Sequence, residues 1–312
     1  MKLELAKNNF FGIKNISLKE ADFIIVPFGL EKTVSFGRGT SKGPQSILEA
    51  SPGLECFDEE TEKEIDKEVK ISTIKEPDIK QSHEEAIRQL EEIIDRIYSL
   101  DKFPLILGGE HSLTLGPITA ALKKYKKISI LQFDAHADLR DSYEGNKLSH
   151  AAVMRRCLDL GGINLVQIGV RNISNEELDG KEFDFWRRNQ NRIKTFWAKD
   201  MEKWRIRDII NSLAENIYLS FDVDAFDSGL MPSCGTPEPG GLQWNQAMEI
   251  LKAVASQRNI IGADVVELAP IKDFQAPDFL AAKLVFKIIS YVFTYRIAGK
   301  YKIQMPVYSL SS

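Results

Sequence analysis

Cysteine is nearly absent from this 312-residue chain. The three present, Cys56, Cys157 and Cys234, are odd in number and far apart, which argues against a disulfide framework or a cysteine-ligated zinc site and for reduced thiols. Histidine is almost as scarce, at four residues. Charge of one sign is not in excess either: 41 Lys and Arg stand against 45 Asp and Glu, a net charge of -4, so no basic groove for nucleic acid and no patch for an anionic membrane is expected. Long apolar runs are missing too. The first residues, "MKLELAKNNF", have no apolar core of a signal peptide, and the longest apolar stretch, Phe279 to Phe293, is broken by Lys283 and Lys287. A soluble, cytoplasmic protein is expected. No repeat, low-complexity tract or linker divides the chain, so residues 1–312 are read as a single domain.

Short β-rich apolar runs are plentiful: "DFIIVPF" at 22–28, "VKISTI" at 69–74, "FPLIL" at 103–107, "ISILQFD" at 128–134, "NLVQIGV" at 164–170, "NIYLSFD" at 216–222 and "NIIGADVVEL" at 259–268. Several are apolar without alternation, the pattern of strands buried on both faces. Longer amphipathic segments separate them. One starts at Ser82, where Ser82 and Glu85 suit a capping box and Ile87, Leu90, Ile94 and Ile97 recur at helical spacing. Another follows Pro277, with Leu280, Leu284, Ile288 and Tyr291 as its apolar stripe and Lys283 and Lys287 on a solvated face. The alternation predicts an α/β fold, a mostly parallel sheet with helices on both faces.

The stretch "LQFDAHADLRDSYEGNKLSH" at 131–150 gathers acids and two of the four histidines where an apolar strand ends. If the chain stays extended, Asp134, His136 and Asp138 share a face. Asp222 and Asp224 repeat that spacing at the end of "NIYLSFDVDAFD", with Asp227 further along, and His111 follows "FPLILGGE" through a Gly-Gly turn. All three clusters lie at carboxyl ends of predicted strands, where open α/β sheets bind ligands. Converging buried carboxylates need cations, at several kcal/mol per unpaired charge. His111, Asp134, His136, Asp138, Asp222 and Asp224 are too many ligands for one zinc ion; they suit two ions, and an oxygen-rich set with two imidazoles favours Mn²⁺, although Co²⁺, Ni²⁺ and Zn²⁺ accept similar donors. Such a pair, about 3.5–4 Å apart, generates hydroxide near neutral pH.

These motifs resemble the ureohydrolase family, manganese enzymes that include arginase and agmatinase. The resemblance rests on "GGEHS" at 108–112, "DAHADLR" at 134–140, "SFDVDAFD" at 220–227 and "GTPEPGGL" at 235–242, within a span from "GPQSILEAS" at 43–51 to "DVVELAP" at 264–270. It implies an eight-stranded sheet, the eighth strand falling at "RIKTFW", 192–197. It also implies two Mn²⁺ per subunit: one on His111, Asp134, Asp138 and Asp222, the other on Asp134, His136, Asp222 and Asp224. By the same resemblance Glu267 binds the guanidinium group of the substrate, His150 moves a proton or touches substrate, and the chain forms a homo-oligomer, a trimer or hexamer. A planar guanidinium suits Glu267 because a carboxylate can accept two parallel hydrogen bonds from it. Asp138, touching the hydroxide, would relay a proton to the departing amine, and imidazole suits His150 because its ordinary pKa lies near physiological pH. His83, in the first turn of a helix, is read as exposed. Arginases carry "R-D-x-D" where this chain has "GVRNIS", with Asn172 and Ser174 in place of the acids, so agmatine is the expected substrate, giving urea and putrescine. N1-aminopropylagmatine, guanidinobutyrate and arginine remain open, as does a metal-dependent deacylase; a nonenzymatic metal-stabilised scaffold would require a missing ligand, and none is missing.

Overall fold

A run such as "FIIVPF" offers water no polar face, so it is stable as a strand only where both faces are covered. In the computed structural model, which describes residues 3–178 and 180–297, that segment is β1 (Phe23–Phe28), buried at every position. Phe23 and Ile25 enter one apolar core while Ile24, Val26 and Phe28 enter another on the opposite face. Strand periodicity thus feeds two cores from one element.

The strands that follow are β2 (Phe57–Asp58), β3 (Lys63–Glu64), β4 (Ile71–Thr73), β5 (Phe103–Gly108), β6 (Ile128–Phe133), β7 (Ile163–Ile168), β8 (Ile193–Phe196), β9 (Asn216–Asp222) and β10 (Asn259–Val266). β2 and β3 form a small antiparallel hairpin, and the other eight make one sheet in the order β4-β1-β5-β10-β9-β6-β7-β8. Every neighbouring pair in that sheet is parallel. The eighth strand lies where "RIKTFW" suggested, and the predicted strands agree with the observed ones to within two residues at each end.

The helices are α1 (Gly43–Ala50), α2 (Ile65–Glu68), α3 (His83–Ser99), α4 (Leu115–Lys124), α5 (Val153–Asp159), α6 (Glu182–Arg188), α7 (Ile206–Ser212), α8 (Trp244–Gln257) and α9 (Ala276–Val292). α3, α4 and α5 cover one face of the sheet; α1, α7, α8 and α9 cover the other. This is a three-layer α/β fold. Ser82 caps α3 by accepting the Glu85 N–H at 3.2 Å, and the Glu85 carboxylate accepts the Ser82 hydroxyl proton instead of closing the box on the backbone. No helix among the described residues is long and apolar enough to cross a membrane.

The expectation for α9 is corrected in one respect. Lys287 does not face solvent: it is 1% exposed, and its Nζ lies 3.1 Å from Asp58 Oδ1 and 3.0 Å from both Glu59 Oε1 and Glu60 Oε1. The helix is buried nearly all round because the β2–β3 hairpin packs on the side that its polar residues mark, and a buried ammonium needs such partners.

Candidate metal centre and substrate cavity

Four adjacent strands of the sheet, β5, β10, β9 and β6, end at the same edge, and each delivers acids or a histidine there. β5 leaves the sheet through Gly109, where a Cβ would meet the Leu30 carbonyl oxygen at 2.0 Å, so only glycine lets the chain pass. His111 then opens a short 3₁₀ turn, His111–Thr114. Beyond β6 the chain does not continue extended as the shared-face argument assumed. Asp134 Oδ1 accepts the His136 N–H at 2.6 Å, and Asp138 takes a left-handed conformation at φ 54°. After β9, Asp222 Oδ1 likewise accepts the Asp224 N–H at 2.9 Å and starts the turn Val223–Ala225. Local side-chain-to-backbone bonds, not the pleat of a strand, turn these carboxylates inward. Glu267 follows β10, also left-handed at φ 67°; its N–H donates to Gly109 O at 2.9 Å and its Oε1 accepts the His111 N–H at 2.6 Å. A glutamate held there carries strain of order 1 kcal/mol, which those two long-range bonds maintain.

His111 Nδ1 lies 3.1 Å from Asp134 Oδ2, 3.1 Å from Asp138 Oδ2 and 3.4 Å from Asp222 Oδ2. His136 Nδ1 lies 3.0 Å from Asp224 Oδ2 and 3.6 Å from Asp134 Oδ1. Two groups result, His111–Asp134–Asp222 and Asp134–His136–Asp224, each with its ligand atoms within 4.8 Å of one another and sharing Asp134. Burial opposes charge on both imidazoles, yet the surrounding aspartates outweigh it and hold the pKa of each well above 6.5. Burial and the Asp134 charge push Asp138 up to about 6, and burial with Asp224 and Asp134 raises Asp222 well above the usual carboxylate range. Burial would raise Asp134 as well, but its contacts with His111 and His136 win and lower it. His111 Nδ1 is buried amid three carboxylates without a single hydrogen bond of good geometry. A nitrogen left unpartnered among acids is what a cation would join, so the donors present fit divalent metal.

A second layer steadies these donors, and sequence reasoning overlooked it. His111 Nε2 is 2.8 Å from Ser220 Oγ, whose proton goes to Asp264 Oδ1 at 2.7 Å. Asp264 is fully buried and also accepts from Tyr218 and Thr114, each at 2.9 Å. On the other side Gln132 Nε2 donates to Asp134 Oδ2 at 2.7 Å, and Gln167 Nε2 donates to Gln132 Oε1 at 2.8 Å. Such partners fix ligand tautomer and orientation. Their signal was legible: Gln132 and Asp264 are polar interruptions in otherwise apolar strands, and a buried polar side chain must have a partner. Asp227 belongs to neither group; it accepts the N–H groups of Gly229, Gly240 and Gly241 and shapes a loop.

The acids floor a cavity of about 320 Å³ that His150 and Glu267 also line, with Arg140, Tyr143, Asn172 and Glu182 among its walls. Burial, reinforced by the Glu110 and Asp224 charges, raises Glu267 to about 8 despite the His111 N–H that favours its charged form. Burial pushes His150 down to about 4, so this imidazole rests neutral near pH 7, below the near-physiological value expected of it. His83 is a further correction. Its side chain is only 11% exposed, its Nε2 lies 2.9 Å from Ser112 Oγ and its Nδ1 lies 3.3 Å from Asn146 Nδ2, because α3 packs against the turn that carries His111.

The chain has counterparts among known proteins. The chain is 34% identical over 284 residues to the N(1)-aminopropylagmatine ureohydrolase of Synechocystis sp., covering 88% of this chain and 90% of that one. It is also 34% identical over 279 residues to the agmatinase of Pyrococcus horikoshii, covering 89% and 94%. The agmatine ureohydrolase of Thermoplasma volcanium, a crystal structure, superposes with a TM-score of 0.80 at 29% identity over 91% of this chain and 94% of that one. The profile described as the arginase family matches residues 21–290, all eight strands of the large sheet included. By sequence and by fold, the chain belongs to the arginase family.

Proposed function

We propose that this protein hydrolyses a guanidino compound, agmatine, to urea and putrescine, and that it does so with two Mn²⁺ ions per subunit. The observation that carries the reading is that His111, His136, Asp138, Asp222, Asp224 and Glu267 line one cavity, with Asp134 buried against both histidines. One ion would be held by His111, Asp134, Asp138 and Asp222, the other by Asp134, His136, Asp222 and Asp224. Bound divalent ions supply a Lewis acid and, by lowering the pKa of coordinated water, a nucleophile for the guanidinium carbon.

The protein's own groups do the rest. Glu267, whose ionised form an approaching cation favours over the protonated one, binds the planar guanidinium through its carboxylate and orients the carbon towards the aspartates. Asp138 takes the proton released by the attacking water. His150, neutral at rest, accepts that proton and gives it to the amine nitrogen as the C–N bond breaks. Asn172 and Ser174 line the cavity without charge, which supports a substrate lacking the α-amino-acid end of arginine. The names of the relatives support both agmatine and N1-aminopropylagmatine, which share the guanidinium end. We place the whole chain, residues 1–312, in one such domain, acting in the cytoplasm as a homo-oligomer, a trimer or hexamer.

The test is to incubate manganese-loaded protein separately with agmatine, N1-aminopropylagmatine, arginine, guanidinobutyrate and an acetylated amine, measuring urea and acetate. Urea from agmatine at the highest kcat/KM is expected. Acetate without urea would replace this reaction with a deacylase.

A further inference from the structure

We propose that Glu110 is a positioning residue for His150: acting through the Thr33 hydroxyl, it holds the His150 imidazole in the tautomer with its proton on Nδ1. Nε2 is then the nitrogen that accepts the proton in transit, an inference resting on the reading of His150 as the proton carrier. The Glu110 carboxylate is fully buried beside the cavity but does not line it. It accepts from four donors: the Lys32 N–H, the Thr33 N–H at 2.6 Å, the Thr33 hydroxyl at 2.7 Å and the Ser112 hydroxyl. Those donors fill its lone-pair positions.

The proton count beyond the carboxylate favours one tautomer. A hydroxyl has one proton, and Thr33 gives it to Glu110, so towards every other neighbour Thr33 Oγ1 can only accept. Two groups of His150 approach it, the backbone N–H at 3.1 Å and the ring Nδ1 at 3.2 Å. Were Nδ1 bare, its lone pair would face the lone pairs of Thr33; carrying a proton, it completes the set. Ser149 Oγ, 3.3 Å from Nδ1, is free to accept from the same N–H. Nε2 is left as the acceptor, and the Ser35 hydroxyl at 2.8 Å can donate to it.

The same carboxylate orders the other side of the loop that carries His150. Ser112 spends its proton on Glu110 and so accepts from His83 Nε2 at 2.9 Å, leaving His83 Nδ1 to accept from Asn146 Nδ2 at 3.3 Å. Asn146 and Tyr143 exchange backbone hydrogen bonds, and the Tyr143 ring packs edge-on against His150 at 5.7 Å. One buried acid therefore sets the 32–33 segment, His83 and the loop before His150. Without it, a neutral imidazole would present an N–H in place of a lone pair for part of the time, and that fraction could not take a proton.

The test uses the full-length protein labelled with ¹⁵N in its histidine rings and loaded with Zn²⁺, which is diamagnetic. Four histidines give four ring systems, and His150→Asn identifies the set of interest. Wild-type His150 is expected to show a protonated Nδ1 and an unprotonated Nε2 at neutral pH. Thr33→Val removes the hydroxyl and should produce a tautomer mixture, with kcat for agmatine lowered about 5- to 100-fold, the effect of leaving one buried polar group unsatisfied. KM and metal content should change little. Thr33→Ser should restore both tautomer and rate. A wild-type Nε2–H tautomer, or a Thr33→Val protein that keeps Nδ1–H unchanged, would overturn the proposal. So would a changed tautomer with an unchanged rate. If wild type makes no urea while the ring signals behave as stated, the fault lies with the proposed reaction and not with the hydrogen-bond chain.

Discussion

Glu267→Gln should separate the proposed substrate binding from metal binding because of how the side chain is tethered. Glu267 Oε1 accepts the His111 backbone N–H at 2.6 Å, and that donor needs an oxygen opposite it. In the glutamine variant the amide oxygen takes this place, leaving the NH₂ group for the cavity. A guanidinium has only N–H donors to offer, so donor would meet donor where a carboxylate had met them, and the counter-charge would be gone. Removing one partner of a buried, hydrogen-bonded charge pair costs about 2–5 kcal/mol, or roughly 30- to 5,000-fold in kcat/KM for agmatine. Folding should hardly notice, since the bond to His111 survives and the stability change should stay within about 1 kcal/mol. The assay pairs urea release under kcat/KM conditions with metal content by mass spectrometry and an unfolding midpoint. A variant within threefold of wild type would refute the clamp, and one that loses its metal would show that Glu267 supports the ligands and not the substrate.

Asp134 lies in both ligand groups, so Asp134→Ala should empty both positions together, leaving metal content near zero and no urea; retention of a full metal complement would refute its bridging place. Lys287→Ala leaves the fully buried Asp58 without its cation and should cost about 3–5 kcal/mol in urea denaturation, with activity per folded molecule unchanged because neither residue lines the cavity; a loss under about 1 kcal/mol would refute the importance of the cluster. The same cluster predicts an acid limb. Burial opposes the charge of Glu60, but Lys252, Tyr291 and Lys287 outweigh it and lower the pKa from 4.5 to about 2. A depressed folded value means that this contribution is present above the unfolded pKa and is lost as pH falls from about 4.5 to about 2. Glu60→Gln should flatten the stability–pH slope in that window, measured by thermal melts; an unchanged slope would remove Glu60 from the account.

Strand positions and candidate ligands were readable in the chain itself because both are local. An apolar run such as "ISILQF" declares a doubly buried strand, and an acid directly after it declares a strand tip, whatever lies elsewhere in the molecule. The polar partners of those ligands were passed over: Gln132 and Asp264 are polar misfits in apolar strands, but nothing local says that one would brace Asp134 and the other, through Ser220, His111. Lys287 and His83 were misread for the same reason. A lysine in an apolar helix looks solvated until Asp58, 229 residues away, packs against it, and a histidine in a first turn looks exposed until the segment of Ser112 covers it.

From its residue order alone this chain declares an α/β sheet with acids and imidazoles at several strand tips, since hydrophobic period and strand ends are written in neighbouring residues. Only folding brings those tips to one cavity, bends Asp134 and Asp222 inward through their own turns and ties Glu267 to His111 across 156 residues. Contacts at that separation depend on which strands become neighbours in the sheet, and strand order leaves no mark on any single stretch of sequence.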